Sequence, residues 1–213
     1  IKKLYFFGFS KVLFNAVNVT AACSKSDQRL FSSITKRLIL LENAVDINEH
    51  LRLPVDCKEP GSFLYVGRLS SNKNIAKLLK AFSEAKKLGA RFTLRLAGPD
   101  PENMTEEYML LAKNMDIENH TIFLGELPFT KLLDEFKRAD NFVSASGYEG
   151  FGLTAIEAQA AGCRLLLQKN DAFNSLFSEN NCVQFCDFLN AVKSGKIINE
   201  IISINTPIKV KVQ

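Results

Sequence analysis

Short apolar runs and longer amphipathic segments alternate regularly along residues 62 to 168. The short runs predict β-strands, and the segments with apolar residues at helical spacing predict α-helices. We expect strands at 62–66, 92–97, 120–124, 141–146 and 163–168. The expected helices lie at about 74–88, 104–115, 129–138 and 152–161.

This alternation predicts the fold class. Strands and helices joined by short links are typical of an α/β protein, in which a Rossmann-like parallel sheet has helices on both faces. Ligands of such sheets bind beyond the carboxyl ends of the strands. The candidate site should therefore lie in the loops after strands 62–66, 92–97 and 141–146.

The N-terminal part of the chain has a different pattern. Residues 17–23 and 36–41 predict two short strands, and Ser24 is a candidate N-cap for a helix that runs to Ser33. Residues 2–17 are apolar and aromatic with lysines interspersed. A packed helix is expected there, and a patch in peripheral contact with a membrane is the alternative, since basic and aromatic residues suit that interface.

A polar segment separates the two patterns. Residues 47–61 contain two prolines and a glycine, which favours a linker. We place a domain boundary there, so that residues 1–50 would close an N-terminal domain and residues 51–213 would form the α/β domain. Because the chain opens with Ile1 rather than Met, we expect either a fragment of a longer protein or a sequence that has been renumbered.

Composition narrows the possible functions. A net charge of +4 is too small and too dispersed to indicate nucleic acid as a partner. The five cysteines form no C-x-x-C pair, and only two histidines are present, so neither a zinc site nor a disulfide framework is expected. Cys182 and Cys186 have the spacing of one helix face, where small buried thiols are the simplest interpretation. No run approaches the ~18 apolar residues of a membrane span.

The stretch from Ser144 to Glu157 carries the most informative chemistry. An apolar strand ends in a glycine-rich turn, after which residues 153–161 have strong helix propensity. The first N–H groups of such a helix have no intrahelical partner, so the turn is a candidate anion site. Glu149 and Glu157 place one carboxylate on each side of it. A phosphate site flanked by carboxylates favours a ligand that also carries hydroxyl groups to donate to those carboxylates. A sugar nucleotide has both phosphate and hydroxyl groups.

Two cations are expected at the same edge of the sheet. Arg68 and Lys73 follow strand 62–66 in the loop that begins at Gly67. Because the carboxyl ends of parallel strands meet at one edge, these side chains should approach the glycine-rich turn and bind phosphate. Gly125 follows strand 120–124 and would let a planar base approach the backbone, with an ordinary turn as the alternative.

The same stretch also fits the dinucleotide-binding pattern. Gly150-x-Gly152-x-x-Ala155 lies between a predicted strand and a predicted helix, and Asp171 follows where a ribose-binding acid is expected. Two features weigh against a nicotinamide or flavin enzyme. That pattern normally follows the first strand of its domain, whereas here it follows the fourth predicted strand after the linker. Glu149 would also place a negative charge beside the pyrophosphate.

Several segments resemble one enzyme family. Glu149-Gly-Phe-Gly-Leu-Thr-Ala-Ile-Glu157 resembles the E-x7-E motif of retaining glycosyltransferases, in the large glycosyltransferase family 4 with the GT-B fold. Phe63-Leu-Tyr-Val-Gly-Arg68 with Lys73 resembles the first donor-binding loop of that family. Leu96-Ala-Gly98 and Phe123-Leu-Gly125 resemble the ends of its next two strands. The resemblance implies that the α/β domain is the C-terminal, donor-binding domain of such an enzyme.

The resemblance also implies a role for each residue of the predicted site. Arg68 and Lys73 would bind the diphosphate of a nucleotide sugar, Glu157 would accept the ribose hydroxyls, and Glu149 would face the transferred sugar. The implied donor-binding residues are Gly67, Arg68, Lys73, Gly125, Glu149, Gly150, Phe151, Gly152, Leu153, Thr154 and Glu157, with Glu149, Arg68 and Lys73 as the catalytic ones. Neither a metal nor a cofactor is expected, since fixed cations and backbone dipoles would stabilise the leaving phosphate.

A narrower likeness concerns the substrate. Residues 144–155 with Asp171-Ala-Phe173 resemble bacterial exopolysaccharide enzymes that move mannose from GDP-mannose to a lipid-diphosphate oligosaccharide. The likeness implies a mannosyltransferase in the cytoplasm or at the inner face of the cell membrane. Its glycan or lipid-linked glycan acceptor would bind an N-terminal domain that is mostly missing, so we expect this chain to bind a nucleotide sugar without transferring it unaided.

Three other functions stay open. The chain is also compatible with a transferase that uses a UDP-sugar, with a GT-B epimerase acting on a UDP-sugar, and with a non-catalytic nucleotide-binding module. Binding of GDP, UDP and their sugar conjugates would distinguish these functions.

Overall fold

The computed structural model describes residues 11–14, 16–51 and 57–204. Its N-terminal part contains two parallel strands, β1 (Thr20–Ala22) and β2 (Leu38–Leu40), joined by helix α1 (Lys25–Ser32). Ser24 caps α1, because its hydroxyl oxygen accepts the N–H of Asp27 at 3.1 Å. These elements confirm the two predicted strands and the predicted helix. The helix expected over 2–17 lies mostly outside the described residues. Within that range, residues 11–14 are described and are helical.

A short helix, α2 (Asn48–Leu51), precedes a sheet of six parallel strands. The strands are β3 (Glu59–Val66), β4 (Thr93–Ala97), β5 (Thr121–Gly125), β6 (Ala139–Ser144), β7 (Arg164–Gln168) and β8 (Val183–Cys186). Their spatial order is β5-β4-β3-β6-β7-β8. The chain therefore changes its direction of progress across the sheet between the central strands β3 and β6, which is where ligands of such sheets bind.

Helices cover both faces of the sheet. They are α3 (Ile75–Lys87), α4 (Thr105–Asn114), α5 (Phe129–Arg138), α6 (Leu153–Ala160), α7 (Asp171–Leu176) and α8 (Ala191–Ser203). Neighbouring strand residues point to opposite faces, so Phe63 belongs to a core shared with Phe82 of α3, while Leu64 belongs to a second core shared with Phe136 of α5. Burial on both faces explains why these strands are continuous apolar runs in the sequence.

The predicted fold class is confirmed, and the five predicted strands and four predicted helices are present with small shifts at their ends. The spacing argument for Cys182 and Cys186 is wrong, because Cys186 ends strand β8 and Cys182 precedes it. Part of the segment 47–61 is also regular, since it contains α2 and the start of β3. Within the residues described, none of the helices has the length and apolar character needed to cross a membrane.

Candidate functional site

Glycines hold the carboxyl ends of β3, β4 and β5 together. The N–H of Gly67 donates to the carbonyl of Ala97 at 2.9 Å, and the N–H of Gly98 donates to the carbonyl of Gly125 at 2.7 Å. A Cβ on Gly98, whose φ is +141°, would lie 2.1 Å from the carbonyl oxygen of Gly67. Only glycine permits this approach, so the loops after β3 and β4 meet at one edge of the sheet.

Gly152 sets the start of helix α6. Its φ of +92° is left-handed, and a Cβ there would lie 2.9 Å from Cε1 of Phe173, so both conformation and space require glycine. The carbonyl of Gly152 accepts the N–H of Ala155 at 3.1 Å. Within the described part of the chain, the N–H groups of Leu153 and Thr154 have no hydrogen-bond acceptor. They form the type of helix start that binds anions.

Three polar side chains hold the loop between β6 and α6. The amide of Asn74 donates to the carbonyl of Ala145 at 3.0 Å, and the amide of Asn170 donates to the carbonyl of Ser146 at 2.9 Å. The hydroxyl of Ser146 donates to the carbonyl of Tyr148 at 2.7 Å. Sequence reasoning missed these side chains, because hydrogen bonds between loops that are distant in sequence leave no local pattern.

Lys73 and Glu149 are in direct contact. Lys73 ends a single 3-10 turn after β3, and its Nζ lies 2.7 Å from Oε1 of Glu149 in the loop after β6. The sequence predicts different partners for them, a phosphate for Lys73 and a sugar for Glu149. Glu149 also lines a cavity of about 230 Å³; the other lining residues are Gly147, Tyr148, Asn170, Asp171 and Ala172.

Arg68 is exposed, and its side chain forms no ion pair with another described residue. Its backbone is held in place, since the hydroxyl of the buried Tyr65 donates to its carbonyl oxygen at 2.8 Å. Burial raises the pKa of Tyr65 well above its usual range, and the nearby negative charge of Glu149 raises it further. Tyr65 therefore remains a neutral donor that positions the Arg68 backbone.

Glu157 lies in the second turn of α6 and is partly buried. Burial raises the pKa of its carboxyl group, and nearby His50 lowers it by less. His50 belongs to α2 and is 1% exposed, with its ring 5.2 Å from that of Phe136 and 6.0 Å from that of Phe129. Neither ring nitrogen of His50 has a hydrogen-bond partner among the described residues. Sequence reasoning missed this neighbour of Glu157.

The N-terminal part of the chain also reaches the loop that carries Glu149. The hydroxyl of Tyr148, a side chain 61% exposed, donates to Oδ1 of Asp27 on α1 at 3.5 Å. The other oxygen of Asp27 accepts the thiol of Cys23 at 3.2 Å, a bond that raises the pKa of that thiol. No group of three or more His, Cys, Asp or Glu side chains within the described ranges is placed to hold a metal ion.

Comparisons with known proteins place the chain in a family. Residues 54–207, more than half of the chain, match the family model described as glycosyl transferases group 1. Glycogen synthase of Mycobacterium tuberculosis is 31% identical over 155 residues, which cover 70% of this chain and 36% of that protein. GDP-mannose:cellobiosyl-diphosphopolyprenol alpha-mannosyltransferase of Xanthomonas oryzae pv. oryzae is 27% identical over 183 residues, which cover 84% of this chain and 48% of that protein. The chain thus spans less than half the length of these relatives.

A solved structure shows the same fold. The Anabaena protein HepE in complex with UDP and glucose superposes with a TM-score of 0.78 at 18% identity, covering 97% of this chain and 60% of that one. At 18% identity this likeness establishes the fold alone, while the match to the family model establishes membership of the family. The chain therefore belongs to the group 1 glycosyl transferases, and its α/β fold is that of the GT-B glycosyltransferases.

Proposed function

We propose that this chain is the donor-binding part of a retaining glycosyltransferase that moves mannose from GDP-mannose to a lipid-linked or oligosaccharide acceptor in polysaccharide biosynthesis. One observation carries the proposal: a cation at Lys73, a carboxylate at Glu149 and the unpaired N–H groups at the start of α6 converge at one edge of the sheet. The named activity of the Xanthomonas relative supports mannose and GDP.

The positive groups would act on the leaving phosphate. In the proposed complex, Lys73 and Arg68 bind the diphosphate together with the backbone N–H groups of residues 152–154. Negative charge builds on that phosphate as the bond to the sugar breaks, so fixed cations and dipoles stabilise the transition state more than the ground state. These groups supply the positive charge in the proposal, which therefore includes no metal.

The two carboxylates would bind the sugars at either end of the diphosphate. Glu157 accepts the two ribose hydroxyls, as a carboxylate with two oxygens is able to do. Glu149 accepts hydroxyls of the transferred hexose and stabilises positive charge near its anomeric carbon. The cavity of about 230 Å³ beside Glu149 is smaller than the pockets of roughly 300–1,000 Å³ that take drug-sized ligands, so a single sugar ring suits it.

The acceptor would bind on the other side of the cleft. Under this proposal residues 1–50 close an N-terminal, acceptor-binding domain, and residues 51–213 form the donor-binding domain. The chain then binds a nucleotide sugar and does not transfer it unaided. Its place of action would be the cytoplasm or the inner face of the cell membrane, where residues 2–17 would supply the peripheral contact.

A donor with a uracil base is the second candidate. The Anabaena structure contains UDP and glucose, and the mycobacterial relative is a glycogen synthase, so a UDP-sugar fits relatives of the same family. A GT-B epimerase would use such a donor without an acceptor. A non-catalytic nucleotide-binding module would keep the sheet and have no chemical activity.

Calorimetric titration with GDP, UDP, GDP-mannose and UDP-glucose tests the proposal. We expect GDP-mannose to bind more tightly than UDP-glucose. Arg68→Ala and Lys73→Ala should each weaken binding by about 10- to 100-fold, the loss of one charge-assisted hydrogen bond. Lys80→Ala, which removes an exposed cation from α3, is the matched control and should change little.

Each outcome of this titration has a consequence. Preference for uracil would replace GDP-mannose with the UDP-sugar alternative. Binding of none of the four ligands would contradict any donor-binding role. Unchanged affinity in both the Arg68 and the Lys73 variants would show that the phosphate lies elsewhere.

A further inference from the structure

The ion pair of Lys73 and Glu149 is largely shielded from solvent. Its Nζ–Oε1 distance is 2.7 Å, and the two side chains are 12% and 19% exposed. Water and salt screen such a pair less than an exposed one, so the attraction between its two charges is stronger than in an ordinary surface salt bridge. A phosphate that binds Lys73 must therefore compete with a carboxylate of the protein itself.

Hydrogen bonds between the two loops keep the partners together. Asn74, the residue directly after Lys73, donates its side-chain amide to the carbonyl of Ala145 at 3.0 Å. The loop after β6 is bonded internally as well, since the hydroxyl of Ser146 donates to the carbonyl of Tyr148 at 2.7 Å. Because both loops are held, the backbone of Glu149 stays near a phosphate that approaches Lys73.

The influence of Glu149 is not confined to Lys73. Its negative charge contributes to the raised pKa of the buried Tyr65, although burial itself is the larger cause. Arg68, the other predicted cation, is exposed and makes no ion pair with Glu149. Any anion bound between these cations therefore lies in the field of a carboxylate whose ion-pair partner among the described residues is Lys73.

Two ligands of the same class would meet this carboxylate differently. The terminal phosphate of a nucleoside diphosphate carries additional negative charge and offers only acceptor oxygens at neutral pH. If this phosphate pairs with Lys73, Glu149 loses its ion-pair partner and lies beside a group of the same charge. In a nucleotide sugar that phosphate is esterified and less charged, and the sugar hydroxyls donate to the Glu149 oxygens in place of Lys73.

We propose that Glu149 makes the site selective for a nucleotide sugar over the nucleoside diphosphate that remains after transfer. The inference rests on the proposed function, from which it takes the ligand class. Glu149 keeps Lys73 in the ion pair unless the ligand supplies hydroxyl groups that donate to Glu149 in place of the lysine. The spent nucleotide therefore binds less tightly than the phosphate-binding groups alone would allow, which favours its release.

Glu149→Gln tests this selectivity, because glutamine keeps the shape and can still bond to hydroxyls but carries no charge. Calorimetry would compare the variant with the unchanged chain for GDP against GDP-mannose and for UDP against UDP-glucose. We expect the dissociation constant of the nucleoside diphosphate to fall about tenfold, while that of the nucleotide sugar changes less than about threefold. Glu149→Ala, a second variant, should tighten the diphosphate similarly and weaken the nucleotide sugar.

Two controls isolate the contact with Lys73. Glu102→Gln removes the same charge from a carboxylate that accepts the N–H of Ser71, in the same turn as Lys73, at 2.9 Å. This variant should leave the ratio of the two dissociation constants unchanged. In the double variant Lys73→Met with Glu149→Gln, the gain in diphosphate affinity should disappear, since there is no lysine to release.

The inference and the proposed function fail in different ways. If the unchanged chain binds none of the nucleotides, the proposed function is wrong and the selectivity falls with it. If the unchanged chain binds them, but both Glu149 variants leave the ratio unaltered or tighten both ligands equally, only the selectivity of Glu149 is wrong. An equal effect of Glu102→Gln would show that general charge, not the contact with Lys73, sets the ratio.

Discussion

Glu157 is partly buried and has a proposed role in binding, and these two features have opposite requirements for the charge of its carboxyl group. Burial raises the pKa of its carboxyl group, so the ionised form is disfavoured in the folded chain. Accepting the two ribose hydroxyls, one on each carboxylate oxygen, requires the ionised form. A bound nucleotide would offset the cost of ionisation with hydrogen bonds. Without nucleotide, His50 offsets only part of that cost, since it lowers the pKa by less than burial raises it.

Glu157→Gln should therefore stabilise the protein without nucleotide and weaken nucleotide binding. A carboxyl group whose folded pKa is raised contributes stability that is present at low pH and lost as pH rises through that pKa. The variant should be the more stable protein at pH 7, and the difference should vanish in acid, where the native glutamate is protonated. Denaturant unfolding at several pH values measures this, and calorimetry should show a loss of about tenfold in nucleotide affinity.

A matched substitution at the exposed Glu42 should leave both quantities unchanged. A Glu157→Gln variant that is less stable at pH 7, or that differs equally at every pH, would contradict this account of Glu157.

The sequence predicts Glu157 from its spacing to Glu149 but gives no sign of its neighbour His50. His50 lies 107 positions earlier, in a segment that reads as a linker because of its polar composition. Its burial comes from packing of α2 against α5 and α6, which places its ring near Phe129 and Phe136. Contacts of this type depend on the assembled fold, so no local pattern of residues predicts them.

At the scale of elements, the start of α6 depends on helix α7. Gly152 has a left-handed backbone, and Phe173 of α7 fills the space that a side chain at this position would need. The sequence predicts the glycine-rich turn and the helix that follows it. It does not predict α7, whose six residues are too few for a helical period to be recognised.

Gly152→Ala should destabilise the chain by about 1–3 kcal/mol, since it combines a left-handed backbone with a close contact to Phe173. Gly150→Ala is the matched control, because no atom lies within 4 Å of a Cβ there and no left-handed φ is required. We expect that control to change stability by less than about 0.5 kcal/mol. Guanidinium unfolding measures both, and equal effects at the two glycines would refute the assigned role of Phe173.

The last two described elements, β8 and α8, show why sequence patterns fail near the C-terminus. Strand β8 has only four residues, and α8 contains Gly195, which lowers helix propensity. The structure explains this glycine: a Cβ at position 195 would lie 2.6 Å from Cβ of Glu84 on α3. Close packing of α8 on α3 therefore requires the residue that weakens the helical signal, and tertiary contact overrides local propensity.

At the scale of the whole molecule, the described residues form two sheets of very different size. The six-stranded sheet has buried cores on both faces. The sheet of β1 and β2 has three residues in each strand, and Ile39 of β2 is half exposed. A two-stranded sheet is marginally stable by itself, so this part depends on contacts such as that between Asp27 and Tyr148. The domain boundary between residues 50 and 51 stays a prediction.

Hydrogen exchange should therefore separate the two sheets. Backbone amides of β3, β4 and β6 should exchange slowly, because their opening requires loss of the main cores, whereas amides of β1 and β2 should exchange through local opening with a much smaller free energy. Mass spectrometry of peptides after a series of exchange times measures this difference. Equal protection of both sheets would show that the chain unfolds as one cooperative body.

Addition of a nucleotide sugar extends this experiment to the proposed site. Residues 67–74 and 147–154 carry Lys73, Glu149 and the start of α6, so binding should slow exchange in both segments. Helix α1, which joins β1 to β2, approaches the site through the contact of Asp27 with Tyr148. The two strands themselves should gain little protection. Protection confined to β1 and β2 would place the ligand in the N-terminal part and contradict donor binding at the carboxyl edge of the large sheet. Protection of residues 67–74 and 147–154 together is the result expected for a ligand that spans both loops, as a diphosphate between Lys73 and the amides of α6 would.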